Sequence, residues 1–352
     1  MKTWENNVRK VVPYVPGEQP NKEHMIKLNT NENPYSPAPG VEKVLADFQS
    51  DRLRLYPDPT VGKLVHAIAD NYGVADNQVF VGVGSDDVLA MIFMTFFNGK
   101  EPILFPDITY SFYEVWADLL RIPYERIPLD ENFCIHTEDY KKLNGGIIFP
   151  NPNAPTGELL SLEKVEEIIA ANPDVIVVVD EAYIDFGGES ALPLVDKYDN
   201  LIVVQTFSKS RSMAGSRIGF AISNETIIKY LNDVKYSYNS YTMDALTIEL
   251  GTAVIEDKAY FEKTREQIIA TREWTKTQLK ELGFEFGDSK SNFIFATHPK
   301  VEAKELFEAL KEADIYVRYF RKPERISNYL RISIGTDEEM SALISFLKTY
   351  IK

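Results

Sequence analysis

Two neighbouring stretches, DVIVVVDEAYIDF at 174–186 and NLIVVQTFSKSRSMAGSRIGF at 200–220, decide how this chain folds. Each opens with a short run rich in Val and Ile and then turns polar. That is the pattern of a strand buried on both faces, with a loop at its carboxyl end. EPILF (101–105) and GGIIF (145–149) repeat it upstream, and helical segments such as SLEKVEEIIAAN (161–172) lie between several of these runs. Buried strands alternating with helices imply an α/β fold, with a mostly parallel sheet covered on both faces.

The pattern extends outward in both directions. VGKLVHAIADNY (61–72) reads as an amphipathic helix. VFVGVG (79–84) reads as a strand ending in glycines, and SDDVLAMIFMTFF (85–97) as a helix with Ser and two Asp in its first turn. The first forty residues are rich in Pro and Asn and read as an extended arm. After about Asn224 the pattern changes to long helices, then to FEFG, SNFIFATH, IYVRYF and YLRISIG with helices among them. We expect an arm at 1–40, a large domain at 41–240 and a smaller α/β C-terminal domain at 241–352. The hinge falls near 225–255, and the arm is free to pack on either domain or on a second subunit.

The chain has 352 residues, of which 44% are hydrophobic and 26% charged, ordinary for a soluble globular protein. A net charge of −15 argues against a nucleic-acid or anionic-membrane surface, but leaves room for a locally basic pocket. One cysteine, Cys134, rules out an intrachain disulfide, and four scattered histidines show no metal-ligand spacing. The most apolar stretch, Val88 to Phe97, is about half the length of a membrane span. The start of the chain lacks the apolar run of a secretory leader, so a cytoplasmic protein is expected.

Several groups suggest chemistry. Lys209 sits after an apolar strand among small and hydroxyl residues, where open α/β sheets bind ligands. It is either an imine-forming lysine or an ordinary exposed one. Asp180 ends a core strand and needs a partner, because burying a carboxylate alone is costly. A helix cap or a salt bridge would serve, and so would a cationic cofactor atom. Gly82 and Gly84 lie between a strand and a helix, as a tight turn or as a phosphate cradle. They fail as a dinucleotide fingerprint because Asp87 stands where a glycine is required. IIFPNPNAPTGELL (147–160) carries Pro152, Pro155 and Gly157, which form a rigid turn.

In chain order, NENP, YPDP, GVGSDD, PDITYSFY, NPNAPTG, DEAY, SKSRSMAGSRIGF, SNFIF and YLRISIG resemble the fold type I pyridoxal phosphate aminotransferases across nearly the whole chain. LNTNENPYSP, RLYPDPT and the pairing of IYVRYF with YLRISIG make the likeness greatest to the histidinol-phosphate branch. The resemblance implies that Lys209 forms the imine with the cofactor, Asp180 pairs with the pyridine nitrogen, and Tyr183 hydrogen-bonds the ring oxygen. Tyr110 would stack on the ring. Gly84, Ser85, Asp86, Thr206, Ser208 and Arg217 would hold the phosphate, with Tyr56 reaching it from the neighbouring subunit of a homodimer. Where family members commonly have Asn before the second proline of the turn, this chain has Ala154, which has no side-chain donor. Asn153 or Asn151 then substitutes, Asn153 being favoured, or Tyr183 acts alone. Arg331 and Arg318 would receive the substrate's anionic groups, since guanidinium forks match carboxylate and phosphate. Tyr14 and Asn33 are candidate substrate or lid contacts, and Arg211 and Lys63 are read as solvated charges. The implied reaction is a ping-pong transamination between histidinol phosphate and 2-oxoglutarate. Its rivals are an aromatic amino-acid aminotransferase or phosphothreonine decarboxylase of the same fold. A non-enzymatic cofactor-sensing module lacks the basic DNA-binding segment it would be joined to.

Overall fold

The computed structural model describes residues 3–14 and 17–351, so residues 1, 2, 15 and 16 of the expected arm and Lys352 lie outside the description. The chain enters through strand β1 (Ile26–Leu28) and helices α1 (Gly40–Asp47) and α2 (Gly62–Tyr72). A strand-helix alternation follows: β2 (Val79–Gly82), α3 (Ser85–Phe96), β3 (Ile103–Pro106), α4 (Phe112–Leu120), β4 (Tyr124–Ile127), β5 (Ile147–Pro150), α5 (Leu162–Ala171), β6 (Val177–Asp180), β7 (Leu201–Thr206) and β8 (Gly219–Ile222). Three helices come next, α6 (Glu225–Tyr238), α7 (Ala245–Glu256) and α8 (Lys258–Glu281). The chain closes with β9 (Glu285–Phe286), β10 (Phe293–Thr297), α9 (Ala303–Glu312), β11 (Ile315–Tyr319), β12 (Leu330–Ser333) and α10 (Asp337–Tyr350).

The seven-stranded sheet has the order β2-β8-β7-β6-β5-β3-β4. The strands from β7 to β4 run parallel, and β8 is antiparallel to both β2 and β7. Both faces are packed, as the apolar runs require. Val178 of β6 joins the cluster of Phe93 and Trp116, while Val177 and Val179 join that of Val165 and Ile169. Alternate residues of one strand thus face helices on opposite sides. Local signals set the helix ends. Ser161, Asn224, Asp244 and Asp257 each accept a hydrogen bond from a backbone N–H of the helix that follows, and Thr336 and Glu339 form a capping box on α10.

Strands β4 and β8 were not read from the sequence as strands. β4 is the sheet edge, and its two middle residues, Glu125 and Arg126, are exposed, so it shows no apolar run. β8 follows the Lys209 loop too closely for a separate run to stand out. The smaller sheet has the order β1-β11-β12-β10-β9. β1, from the N-terminal segment, pairs in parallel with β11, Ile26 opposite Ile315. α7 packs on α1 and α2, on the side of the larger sheet. Among the described residues no helix is long and apolar enough to cross a membrane.

Candidate active site

The carboxyl ends of β5, β6 and β7 stand side by side, Pro150 opposite Asp180 and Asp180 opposite Val204. Asp180 is buried at 4% exposure. It accepts hydrogen bonds from the Tyr113 hydroxyl at 2.8 Å and the Ala182 N–H at 3.3 Å. Among the described residues it has no cation in ion-pair range, and it caps no helix. Burial therefore pushes its carboxyl up to about 6, against the pull of those two donors. Just beyond β7, Lys209 is half-buried. Its Nζ donates to the Thr30 carbonyl at 3.3 Å and lies 5.8 Å from the centre of the Tyr183 ring. The Asn33 amide fixes the loop from outside, donating to the carbonyls of Lys209 at 3.0 Å and Ser210 at 3.2 Å.

A cradle lies beside this pair. Gly84 has φ 86°, and a Cβ there would meet Arg217 Nη2 at 2.5 Å, so the position requires glycine. α3 starts at the next residue without a side-chain cap, leaving its first N–H groups free. Gly219 of β8 packs directly on the Gly84–Ser85 peptide, with no room for a side chain. Arg217, itself at φ 54°, folds back over this turn. Its Nη2 pairs with Asp86 at 2.9 Å and its Nη1 donates to Ser208 Oγ at 3.4 Å. Thr206 Oγ1 donates to Ser208 Oγ at 3.0 Å, and the Tyr110 hydroxyl donates to Asp86 at 2.6 Å.

The third part comes from the smaller sheet. Arg318 of β11 and Arg331 of β12 are direct cross-strand partners. Like charges placed this way repel. Arg331 Nη2 donates to the Asn29 carbonyl at 3.1 Å, but its buried Nε has no partner among the described residues. Burial, with Arg318 adding to it, pushes this guanidinium down from its ordinary range. Tyr14 stacks on Phe112 at 4.2 Å between ring centres. The chain thus presents a half-buried lysine at a strand end, a buried carboxylate without a cation among the described residues, an uncapped helix start under an arginine, and two facing guanidiniums.

A family model described as "Aminotransferase class I and II" matches residues 23–347. The chain belongs to the class I and II aminotransferases. Two relatives of this aminotransferase carry the description histidinol-phosphate aminotransferase. The one from Lactococcus lactis subsp. cremoris (strain SK11) is 53% identical over 350 residues, covering 99% of this chain and 98% of the relative. The one from Clostridium acetobutylicum is 51% identical over 350 residues, covering 99% of both. In fold, the aminotransferase is similar to a putative histidinol-phosphate aminotransferase structure from Erwinia carotovora atroseptica. That comparison has a TM-score of 0.85 at 23% identity, over 93% of this chain and 96% of that one. A Sinorhizobium meliloti structure described in complex with pyridoxal-5'-phosphate has a TM-score of 0.83 at 22% identity, over 93% and 90%.

The residues of this aminotransferase fit pyridoxal phosphate. Asp180 is a buried carboxylate with no cation among the described residues, which suits a protonated pyridine nitrogen, and the uncapped first turn of α3 beside Arg217 suits a phosphate, with Asp86 as the arginine's partner on its other side. Two expectations from the sequence read differently in the structure. Arg211 is not solvated: it is 6% exposed, lies 4.1 Å from the centre of the Phe261 ring, and leaves Nη1 without a partner among the described residues. Lys63, read the same way, is an exposed surface charge, ion-paired with Glu249. The side-chain N–H groups of Asn153 go to the Ile108 carbonyl at 3.0 Å and Thr156 Oγ1 at 2.9 Å, and Asn151 is tied to both polar groups of the Leu160 backbone. Within one chain Tyr56 is 83% exposed and lies against Tyr241, 4.7 Å between ring centres.

Other residues of the site were not read from the sequence. Tyr113 holds Asp180. The Asn31 side-chain amide donates to the Tyr183 hydroxyl at 3.0 Å and accepts from the Ser333 hydroxyl, while Asn292 donates to the Asn31 backbone carbonyl. Asn31 stands inside the NENP motif, but nothing in its spacing points at Tyr183, 152 residues away. Arg211 did leave a signal: the small, unsolvating neighbours that made Lys209 notable surround Arg211 as well.

Proposed function

We propose that this aminotransferase moves an amino group between L-histidinol phosphate and 2-oxoglutarate, giving imidazole acetol phosphate and glutamate, as a step of histidine biosynthesis. Near-full-length relatives of that description at 51–53% identity support the reaction. The observation that carries the substrate reading is the cross-strand pair of Arg318 and Arg331. Two facing guanidiniums, one with an unused buried Nε, suit a phosphate dianion in one half-reaction and the second carboxylate of glutamate in the other.

When bound, pyridoxal phosphate supplies an electron sink for the pair left on the substrate Cα. The chain's own residues do the rest. Lys209 Nζ would hold the cofactor and, once freed by the incoming amine, would carry the proton from the substrate Cα to the cofactor's carbon, and in the opposite direction in the second half-reaction. Asp180, held by Tyr113, keeps the proton on the pyridine nitrogen. Tyr183, oriented by Asn31, hydrogen-bonds the ring oxygen, a task for which Asn153 has no side-chain N–H to spare, while the Asn151 amide is turned to the Leu160 backbone. Tyr110 covers the ring face and, through Asp86, steadies Arg217. Gly84, Ser85, Asp86, Thr206, Ser208 and Arg217 hold the phosphate, and Tyr14 flanks the substrate. Asn33 acts on the Lys209 loop instead of on the substrate.

We further propose a cytoplasmic homodimer in which the partner subunit's Tyr56 reaches the phosphate. The exposed Leu53, Leu55, Tyr56, Tyr238 and Tyr241 support that reading. For the domains we keep a large and a small unit but count α7 with the large one, because of its packing on α1 and α2.

The test is spectral and kinetic. The purified protein is expected to show the visible band of a lysine-bound cofactor, lost on adding L-histidinol phosphate. In coupled assays with histidinol phosphate, phenylalanine and phosphothreonine, a higher kcat/KM for phenylalanine, or release of carbon dioxide from phosphothreonine, would overturn the substrate assignment.

A further inference from the structure

Lys235 of α6 belongs to none of the three parts described above, yet it is 3% exposed. Among the described residues its ammonium makes one hydrogen bond, to the backbone carbonyl of Pro59 at 3.1 Å. The next residue, Tyr236, directs its hydroxyl at the same carbonyl, at 3.5 Å. A buried ammonium is costly to desolvate, so its remaining contacts must be favourable and well placed. Pro59 closes the turn Tyr56–Pro57–Asp58–Pro59, which would send Tyr56 across the interface.

That turn is held from its other end as well. Asp58 accepts from the N–H groups of Thr60 and Gly62, each at 2.9 Å. Val61 then adopts φ 55°, a conformation that a β-branched residue reaches only when its surroundings impose it. Lys235 also feels Asp87 of α3, whose carboxylate accepts from the Val83 N–H at 2.9 Å, one residue before Gly84. Asp58 and Asp87 oppose the lowering of the ammonium's pKa that burial causes. One buried ammonium therefore grips, from α6, the turn that carries Tyr56.

We infer that Lys235 is a positioning residue for cofactor retention: through the Pro59 carbonyl it sets the path of the turn that carries Tyr56 into the partner's phosphate site. This rests on the reading that Tyr56 crosses the interface. The experiment measures cofactor release from the full-length dimer, by absorbance after dilution into a cofactor trap. Tyr56→Phe and Lys235→Met are each expected to speed release about tenfold, the size of one lost hydrogen bond to a charged group. The double variant is expected to be no faster than the quicker single one, and Lys235→Arg, which can still donate to Pro59, to recover most of the retention. If Tyr56→Phe releases cofactor at the wild-type rate, the Tyr56 reading fails and this inference with it. If Tyr56→Phe is fast and Lys235→Met is not, this inference alone fails. Additive effects in the double variant would show a merely structural lysine and also overturn it. Should Lys235→Met not fold, Lys235→Ala, which likewise has no donor for the Pro59 carbonyl, carries the same comparison.

Discussion

Asp180 shows how one residue carries both a stability cost and a function. Its carboxyl is raised to about 6, and that of its buried neighbour Glu181 to about 7, in both cases chiefly by burial. In the unfolded chain both titrate near 4. Between about pH 4 and 7 these two groups thus hold more protons in the folded apoprotein than in the unfolded chain, so their contribution to stability falls as pH rises through that window. Thermal melts of the apoprotein should show this fall, and bound cofactor should offset the part due to Asp180. Asp180→Asn should raise the apoprotein's melting temperature at pH 8 while weakening cofactor binding and activity. Lys209→Ala should bind cofactor without the imine absorbance and lose at least about 10³-fold in kcat, the scale of a missing proton shuttle. A variant that still turns over repeatedly would remove Lys209 from the mechanism. Arg318→Leu should raise KM for histidinol phosphate about ten- to hundredfold, with a smaller change in kcat. It should leave the apoprotein no less stable, because it ends a like-charge pairing; steady-state kinetics and melts together check both halves.

At the scale of elements, the site is built where chain ends meet. The turn before α3 had alternative readings on the sequence, a tight turn or a phosphate cradle. What distinguishes it in the fold is that the helix start is uncapped while β8 returns antiparallel behind it. Gly219→Ala tests that arrangement, since a methyl group would press on the Gly84–Ser85 peptide. It should destabilise by about 1–3 kcal/mol in urea unfolding and weaken cofactor phosphate binding at the same time. Normal binding with normal stability would show that β8 does not shape the cradle. Of the elements, β5, β6 and β7 were legible as apolar runs, because strands buried on both faces leave no polar alternation. The charged edge strand β4 and the short β8 were not, because edge position and pairing partner are not local properties.

The whole molecule is acidic, at −15, while the site gathers Lys209, Arg217, Arg318 and Arg331. Asp180 and Asp86 stand against them, Asp86 being a carboxylate that the sequence reading counted only as a phosphate contact. If the exposed cluster around Tyr56 is the dimer face, sedimentation at micromolar concentration should give twice the 40.1 kDa chain mass, and dilution should release cofactor along with monomer. A monomer that retains its cofactor would count against the shared site. The reaction class, and the placing of Lys209 and Asp180 at neighbouring strand ends, were readable from one dimension, because those residues sit at a fixed offset from a strand end within their own motifs. The facing of Arg318 and Arg331, the grip of Tyr113 on Asp180 and of Asn31 on Tyr183, and the burial of Arg211 were not. They depend on strand register and on contacts between residues up to 302 positions apart, as between Asn31 and Ser333, which local spacing does not encode.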